Sequence, residues 1–231
     1  MIEEPSLLTI VRPAARRRPT AAQIAAFADL PTGFVVDAMD GRGAMDMAIK
    51  PVPGLPSRLH GPALTCDNRP GDVMALLAAP SQAQPGDVIV NAVAGWQGCA
   101  ALGDRICGMA RNAGAAGIVT DGPARDLAGI QAAGLPLFCT GLTPNSPVTS
   151  GPGAIGLPVL AGGLHVETGD IIVADEDGVV VVPFARIDGV LERVRQVMAL
   201  EQALDARVAE GETGIDRVRA ILDGPGVTWI G

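Results

Sequence analysis

The chain has 231 residues, 48% of them hydrophobic, and a formal net charge of −8 at pH 7. This is enough apolar material for one large or two small packed domains. The acidic balance argues against nucleic-acid binding as the main function, and no apolar run is long enough to predict a membrane-spanning helix. The start, MIEEPS, lacks the basic residues of a secretory signal, so we expect a cytoplasmic protein.

Residue types that often carry chemistry are scarce. Four cysteines without CxxC spacing are interpreted as small core residues of a reducing compartment; they are Cys66, Cys99, Cys107 and Cys139. His60 and His165 are far apart, which argues against a zinc site, and His165 is interpreted as structural. The single lysine, Lys50, precedes a proline in a predicted loop. It is a poor Schiff-base candidate, so carbonyl chemistry would need a metal or an arginine.

The N-terminal part predicts an arm and two helices. Residues 1–19 are rich in Pro and Arg, and their basic cluster at 16–18 is interpreted as solvated or as an oligomer contact. Helices are predicted over 20–30 and 32–39, each with a threonine, Thr20 or Thr32, at the capping position.

Strands and helices alternate through the middle of the chain. Apolar runs predict strands over 61–66, 88–93, 115–122 and 135–141. Helical patterns lie between them, over 73–83, 104–112 and 127–133. This alternation predicts an α/β core.

The pattern changes after residue 150. Short apolar runs over 156–183 predict a β-meander, with Asp177–Gly178 as a hairpin turn. Residues 185–208 predict an amphipathic helix. With no repeat or linker visible, we predict a single domain over 20–208, followed by a C-terminal extension over 209–231.

Charged residues follow two neighbouring predicted strands. A helix that begins at Gly103–Asp104 leaves its first amides, those of Arg105 and Ile106, unpaired by the helix, which favours binding of a carboxylate. Arg125 and Asp126 follow the next strand. Because the carboxyl ends of parallel strands meet at one edge, both loops are expected to share one rim.

Two interpretations of this rim are open from residue types and spacing. Arg125 could bind a carboxylate or keto oxygen, while Asp104 and Asp126 hold a hard divalent cation such as Mg²⁺. Alternatively, Asp121–Gly122 is only a turn, Asp104 only a helix cap, and Arg125 and Asp126 only a surface ion pair.

Longer stretches favour the first interpretation. They are GPALT (61–65), PGDVIV (85–90), GD (103–104), GAAGIVTDGPARD (114–126), GLPLFCTG (134–141) and GDIIVADEDGVVVVP (169–183). Over about residues 30–200 the chain resembles the RraA-like family, which includes the 4-hydroxy-4-methyl-2-oxoglutarate / 4-carboxy-4-hydroxy-2-oxoadipate aldolases. The resemblance implies a three-layer β/β/α swivelling-type α/β fold assembled as a homotrimer or homohexamer.

The resemblance also implies site roles. Arg125 would bind the pyruvoyl unit, Asp126 would ligate Mg²⁺ or Mn²⁺, and Asp104 would organise metal-bound water. The loop at Gly103 and the amides of Arg105 and Ile106 would hold the pyruvate carboxylate.

A glutamate from a neighbouring subunit would also serve the metal in such aldolases. Glu201 is our candidate, although Glu192 lies on the same predicted helix. The expected activity is metal-dependent cleavage of a 4-hydroxy-2-oxo acid to pyruvate, with oxaloacetate decarboxylation as a side activity. The alternative is a non-catalytic regulator that binds a ribonuclease. One residue departs from the family pattern: position 105 is an arginine where an apolar residue is expected. It is either a solvated side chain in the first turn of the helix or, if it turns into the site, a second cation for a substrate with an extra carboxylate.

Overall fold

A computed structural model describes residues 6–231. Its strands are β1 (Leu8–Ile10), β2 (Lys50–Pro51), β3 (Leu59–Asp67), β4 (Val88–Ala92), β5 (Gly117–Thr120), β6 (Leu137–Cys139), β7 (Gly153–Ile155), β8 (Val159–Ala161), β9 (Leu164–Val166), β10 (Ile171–Asp175) and β11 (Gly178–Val182). Its α-helices are α1 (Ala21–Ala25), α2 (Thr32–Ala38), α3 (Met74–Ala78), α4 (Asp104–Asn112), α5 (Leu127–Ala133), α6 (Ile187–Ala209) and α7 (Asp216–Leu222). No helix of this described part is long and apolar enough to cross a membrane.

The centre of the main sheet is parallel. Strands β3, β4, β5 and β6 lie side by side in that order. Antiparallel β2 lies on the outer edge of β6, antiparallel β7 lies beside β3, and β1 pairs with β7. The connections after β4 and β5 contain α4 and α5, so the predicted α/β core is confirmed.

The long strand β3 joins two sheets. Its first half, Leu59–Pro62, pairs with β10, and its second half, Ala63–Asp67, pairs with β4. Strand β10 forms an antiparallel hairpin with β11. One continuous strand therefore fixes the second sheet against the first.

Three apolar layers fill the molecule. Helices α3, α4 and α5 pack on the outer face of the main sheet, around Leu76, Ile106 and Ile130. A second layer lies between the sheets, and a third lies between the β10–β11 hairpin and helices α2 and α6. In β10, Ile171 faces α2 and α6 while Ile172 faces the main sheet. Because both faces are buried, the hairpin strands are continuously apolar. This arrangement confirms the β/β/α swivelling-type fold.

Several predicted elements differ from the structure. The meander predicted over 156–183 is wrong, because β8 and β9 pair with each other in a separate two-stranded sheet and β10 pairs with β11 and β3 rather than with β9. The hairpin loop is Glu176–Asp177 rather than Asp177–Gly178, since Gly178 already pairs with Asp175. Helix 73–83 is shorter than predicted and continues as a 3₁₀ turn over Ala79–Gln82 that contains a proline.

The two N-terminal helices also differ in detail. Thr20 forms the expected cap, in a reciprocal pair with Gln23, but α1 ends at Ala25. Thr32 is inside α2 and does not cap it. Its Oγ1 and its N–H donate instead to the two carboxylate oxygens of Asp175, at 2.7 and 2.8 Å.

The basic cluster of the N-terminal segment is tied to its own chain. Arg18 pairs with Asp87, and Arg17 pairs with Glu167. Arg16 donates through Nη1 to the carbonyl of Gln82 at 2.7 Å. Each of the three arginines therefore has an intramolecular partner, and their interpretation as an oligomer contact stays a prediction.

Candidate active site

Main-chain hydrogen bonds join the two loops that follow β4 and β5. The N–H of Arg125 donates to the carbonyl of Leu102 at 3.0 Å, and that of Ala101 donates to Pro123 at 2.7 Å. The loop after β6 adds a third rung, since the N–H of Ala124 donates to Gly141 at 2.8 Å. This main-chain ladder brings the start of α4 beside the start of α5, as parallel topology predicts.

A cleft of about 540 Å³ opens where the two helices begin. All six residues of the predicted rim line it: Gly103, Asp104, Arg105, Ile106, Arg125 and Asp126. Sequence reasoning missed its remaining walls, which are Val73 and Leu77 of the α3 region, Leu102 before the rim, and Pro147 and Thr149. The run PNSP at 144–147 follows β6 and is the only local signal for that last wall.

The two carboxylates occupy spaces left by glycines. A β-carbon on Gly103 would lie 2.6 Å from Asp126 Oδ2, and one on Gly129 would lie 2.5 Å from Asp104 Oδ2. Asp126 therefore lies against the start of α4, which carries Asp104, and Asp104 lies against the first turn of α5, which begins at Asp126. A side chain at either glycine would fill the space of a carboxylate.

Asp126 has an unusual backbone. Its φ is +65° and its ψ is 46°, the left-handed region, which Asp tolerates better than most residues. Its carbonyl accepts from Ile130 at 3.0 Å, so Asp126 begins α5 through its main chain. Its carboxylate makes no capping bond, which leaves it available to the cleft.

Arg125 is held by two neighbours. Its Nη1 donates to Ser146 Oγ at 2.6 Å, and its Nε lies 3.4 Å from Asp126 Oδ2. The Arg125 and Asp126 side chains are 37% and 47% exposed. Such an exposed pair contributes about 0–1 kcal/mol to stability, so a ligand could replace it at small cost.

The start of α4 differs in one respect from the prediction. The N-cap is Gly103, which has no capping side chain, and Asp104 Oδ1 accepts from the N–H of Arg105 at 2.7 Å. Of the two amides predicted to be unpaired, only that of Ile106 has no acceptor among residues 6–231. Asp104 is therefore not a helix cap in the usual sense, because it engages the amide that follows it.

Asp121 supports the neighbouring loop. Its carboxylate accepts from the N–H groups of Val93 at 2.8 Å and Gly95 at 3.0 Å. Burial raises the pKa of this carboxyl, and the two amide bonds act in the opposite direction. The interpretation of Asp121 as a turn residue understated its role, because its side chain bridges the loops after β4 and β5.

The cleft has a donor set that suits a weakly held hard cation. Asp104 and Asp126 supply carboxylates, and Mg²⁺ is usually bound through one or two carboxylates with several waters. Within residues 6–231, no cluster of three or more His, Cys, Asp or Glu side chains has metal-binding geometry. Two carboxylates line the one cleft, so the donor types present fit a largely hydrated divalent cation.

Other candidates lie elsewhere. Glu201 is on α6 and does not line this cleft in its own chain; its assignment to a neighbouring subunit stays a prediction. Lys50 donates through Nζ to the carbonyl of Asp177, away from the cleft. His165 is an exposed residue of β9. Cys66, Cys107 and Cys139 are buried and free, as expected, while Cys99 is partly exposed.

Comparisons with known proteins agree with the fold. A family model described as "RraA-like: Aldolase/RraA" matches residues 32–181. A protein of Halalkalibacterium halodurans named "Putative 4-hydroxy-4-methyl-2-oxoglutarate aldolase" is 36% identical over 200 residues, which is 87% of this chain and 93% of that protein.

Two solved structures are similar over most of the chain. An uncharacterized protein from Pseudomonas syringae pv. tomato has a TM-score of 0.73 and 27% identity, covering 85% of this chain and 96% of its own. RraAS2 of Streptomyces coelicolor, described as an unusual member of the RNase ES inhibitor RraA protein family, has a TM-score of 0.72 and 29% identity. It covers 82% of this chain and all of its own.

Proposed function

Because this chain belongs to the RraA-like family, described as Aldolase/RraA, we propose that it is a divalent-metal-dependent pyruvate aldolase. It would cleave a 4-hydroxy-2-oxo acid of the 4-hydroxy-4-methyl-2-oxoglutarate type to pyruvate and a second oxo acid. The observation that carries this proposal is the single cleft lined by Asp104, Arg125 and Asp126 at two adjoining helix starts.

The proposed reaction is a retro-aldol cleavage. The C3–C4 bond of the substrate breaks, and its electron pair stays on C3 as the enolate of pyruvate. The C4 hydroxyl loses its proton and becomes the carbonyl of the second product. A divalent cation held by Asp126, and through water by Asp104, supplies electrostatic stabilisation of the enolate oxygen when bound.

We assign three tasks to this chain's own groups. Arg125 binds the C2 oxygen and stabilises negative charge that develops on it. The first amides of α4 hold the C1 carboxylate, which replaces the Asp104 oxygen now bonded to the Arg105 N–H. Asp104, released from that amide, holds a water that takes the hydroxyl proton and returns a proton to C3.

The direct test is pyruvate release from 4-hydroxy-4-methyl-2-oxoglutarate and from oxaloacetate. We expect turnover with Mg²⁺ or Mn²⁺, loss of turnover with a chelator, and recovery when the metal is restored. Oxaloacetate decarboxylation is expected as the side activity, because it passes through the same enolate. If no 2-oxo acid is cleaved with any divalent cation, the aldolase proposal is wrong.

The second candidate function is a non-catalytic regulator that binds a ribonuclease. The likeness to RraAS2, described as a member of an RNase inhibitor family, favours it. The joint presence of Asp104, Arg125 and Asp126 at the cleft supports the enzyme, since an inhibitor surface needs no metal and oxo-acid groups. Ribonuclease inhibition by a triple variant that lacks all three side chains would support the regulator.

We also propose that the active unit is a homotrimer or homohexamer in which Glu201 reaches the metal of a neighbouring subunit. Subunit mixing tests this idea. Glu201→Gln and Arg125→Ala homo-oligomers should each be weakly active, and mixed oligomers should recover activity because some clefts then have both groups intact. Mixtures no more active than their parents would contradict the shared site.

A further inference from the structure

Two arginines line the candidate cleft, but only one has a partner there. Arg125 is engaged by Ser146 and Asp126. The guanidinium of Arg105 makes no hydrogen bond or ion pair with any of residues 6–231, although it lines the same cleft. Its side chain is therefore free to meet a ligand.

The position of Arg105 works against the stability of its helix. It lies in the first turn of α4, where the helix dipole presents positive charge and disfavours a basic side chain. Arg111, in the last turn of the same helix, has the favourable placement. A residue that breaks a local rule at a cleft is a candidate for function rather than for folding.

We propose that Arg105 binds a carboxylate at the far end of the substrate and so selects substrates whose second cleavage product is itself a carboxylic acid. This inference rests on the proposed function of the same cleft. Arg125 and the α4 amides are assigned to the pyruvoyl end, and Arg105 is the remaining cation of the cleft's protein groups.

The formal charges of the cleft agree with such a substrate. Arg105 adds one positive charge to the protein groups that line the cleft, which favours a substrate with one carboxylate more than Arg125 and the α4 amides engage. A guanidinium is also suited to two-point recognition of a carboxylate.

The test compares two substrates that differ at the far end. 4-Hydroxy-4-methyl-2-oxoglutarate has a carboxylate on C4, and 4-hydroxy-2-oxopentanoate has a hydrogen in its place. Arg105→Leu should lower kcat/KM for the first by about tenfold or more, mainly through KM, and should change the second less than about twofold. Arg105→Lys should recover part of the loss, and Arg111→Leu on the same helix should leave the ratio unchanged.

The unfolding transition gives a readout that a structural role would not produce. Because Arg105 opposes the helix dipole, Arg105→Leu should be at least as stable as the wild type while it loses selectivity. If Arg105→Leu has the same ratio of kcat/KM for the two substrates as the wild type, the proposal is overturned.

A binding experiment separates this inference from the aldolase proposal. Calorimetry compares 2-oxoglutarate, which has two carboxylates, with pyruvate, which has one. If the wild type shows no turnover, only the aldolase proposal is refuted. The role of Arg105 is then tested by the calorimetric affinities for the two oxo acids. A preference for 2-oxoglutarate that Arg105→Leu abolishes supports the assignment, and equal affinities in both proteins overturn it.

Discussion

A carboxylate oxygen of Asp126 lies 2.6 Å from the point where a β-carbon of Gly103 would be. The reverse relationship holds between Gly129 and Asp104, at 2.5 Å. The carboxylate of Asp126 thus fits against the start of α4 because that helix has a glycine there. The carboxylate of Asp104 fits against α5 for the same reason. The glycines are as much a part of the candidate site as the carboxylates.

Gly103→Ser should lower activity without unfolding the protein. The nearest atom to the new β-carbon is the mobile end of Asp126, so the carboxylate moves while the backbone stays. Serine is also a good N-cap, and the φ of −143° at this position suits any residue. We expect a fall in kcat/KM of about tenfold or more with an unchanged unfolding midpoint. Full activity would show that the position of Asp126 is unimportant.

Gly129→Ala should affect both activity and stability. Its β-carbon would lie 2.6 Å from Asp104 Cβ, a contact that side-chain rotation cannot relieve, so α4 and α5 must separate. This cost opposes the gain of about 1 kcal/mol that alanine brings to a helix interior. Gly108→Ala, on α4 with nothing within 4 Å, is the matched control and should be stabilising. Equal effects of the two substitutions on the free energy of unfolding would contradict this account.

Arg125→Ala and Asp126→Ala should each lower kcat/KM for pyruvate release by at least about tenfold. Arg125→Lys should recover little, because one ammonium cannot replace the forked donors that reach Ser146 and an oxo acid together. Circular dichroism should show that all three variants are folded. If both alanine variants keep full activity, the site assignment is wrong.

The backbone of Asp126 can be tested apart from its carboxylate. Glycine adopts a φ of +65° without strain, whereas alanine is penalised by about 1–2 kcal/mol. Asp126→Gly should therefore be more stable than Asp126→Ala, by a margin of that order in denaturant unfolding, although both should be inactive. Equal stability would mean that α5 begins differently from the structure described above.

The pH dependence of stability should reveal buried Asp121. Because burial raises its pKa in the folded state, the folded protein holds this proton more tightly than the unfolded chain does. Its contribution to the free energy of unfolding is fully present below the pKa of about 3.9 that Asp has in the unfolded chain. This contribution is lost as pH rises through the raised pKa of the folded state. The stability of the wild type relative to Asp121→Asn should therefore fall as pH rises through that window.

Asp40 provides a control of opposite sign. The hydrogen bond from Arg193, at 2.7 Å, lowers the pKa of the Asp40 carboxyl. Its stabilising effect is present above the unfolded pKa and is lost as pH falls through the folded one. The difference between wild type and Asp40→Asn should thus change with pH in the direction opposite to that for Asp121.

Local signals were sufficient where an element is determined by its own residues. Helices α4 and α5 begin and end where predicted, because a glycine and an acid mark the start of the first, and Gly114 and Gly134, both with positive φ, follow the two ends. The shared rim followed from a general rule of parallel sheets.

Contacts between residues far apart in the sequence could not be predicted from such local patterns. The predicted meander was wrong because β10 pairs with β3, whose paired residues lie 109 to 115 positions earlier in the chain, instead of with β9. The partner of Thr32 is Asp175, 143 residues away. Gly129 and Ser146 escaped notice in the site for the same reason, since only the packed structure brings them to Asp104 and Arg125.

The main-chain ladder that joins Leu102, Ala124 and Gly141 has a consequence for how such a cleft can diversify. Its rungs are amide-to-carbonyl bonds and demand little of the side chains beside them. Side chains that line the mouth of the cleft, such as Arg105 and Thr149, can be exchanged while these main-chain hydrogen bonds keep the loops together. A protein built this way can acquire new substrates by changing its mouth residues, with its catalytic geometry inherited intact.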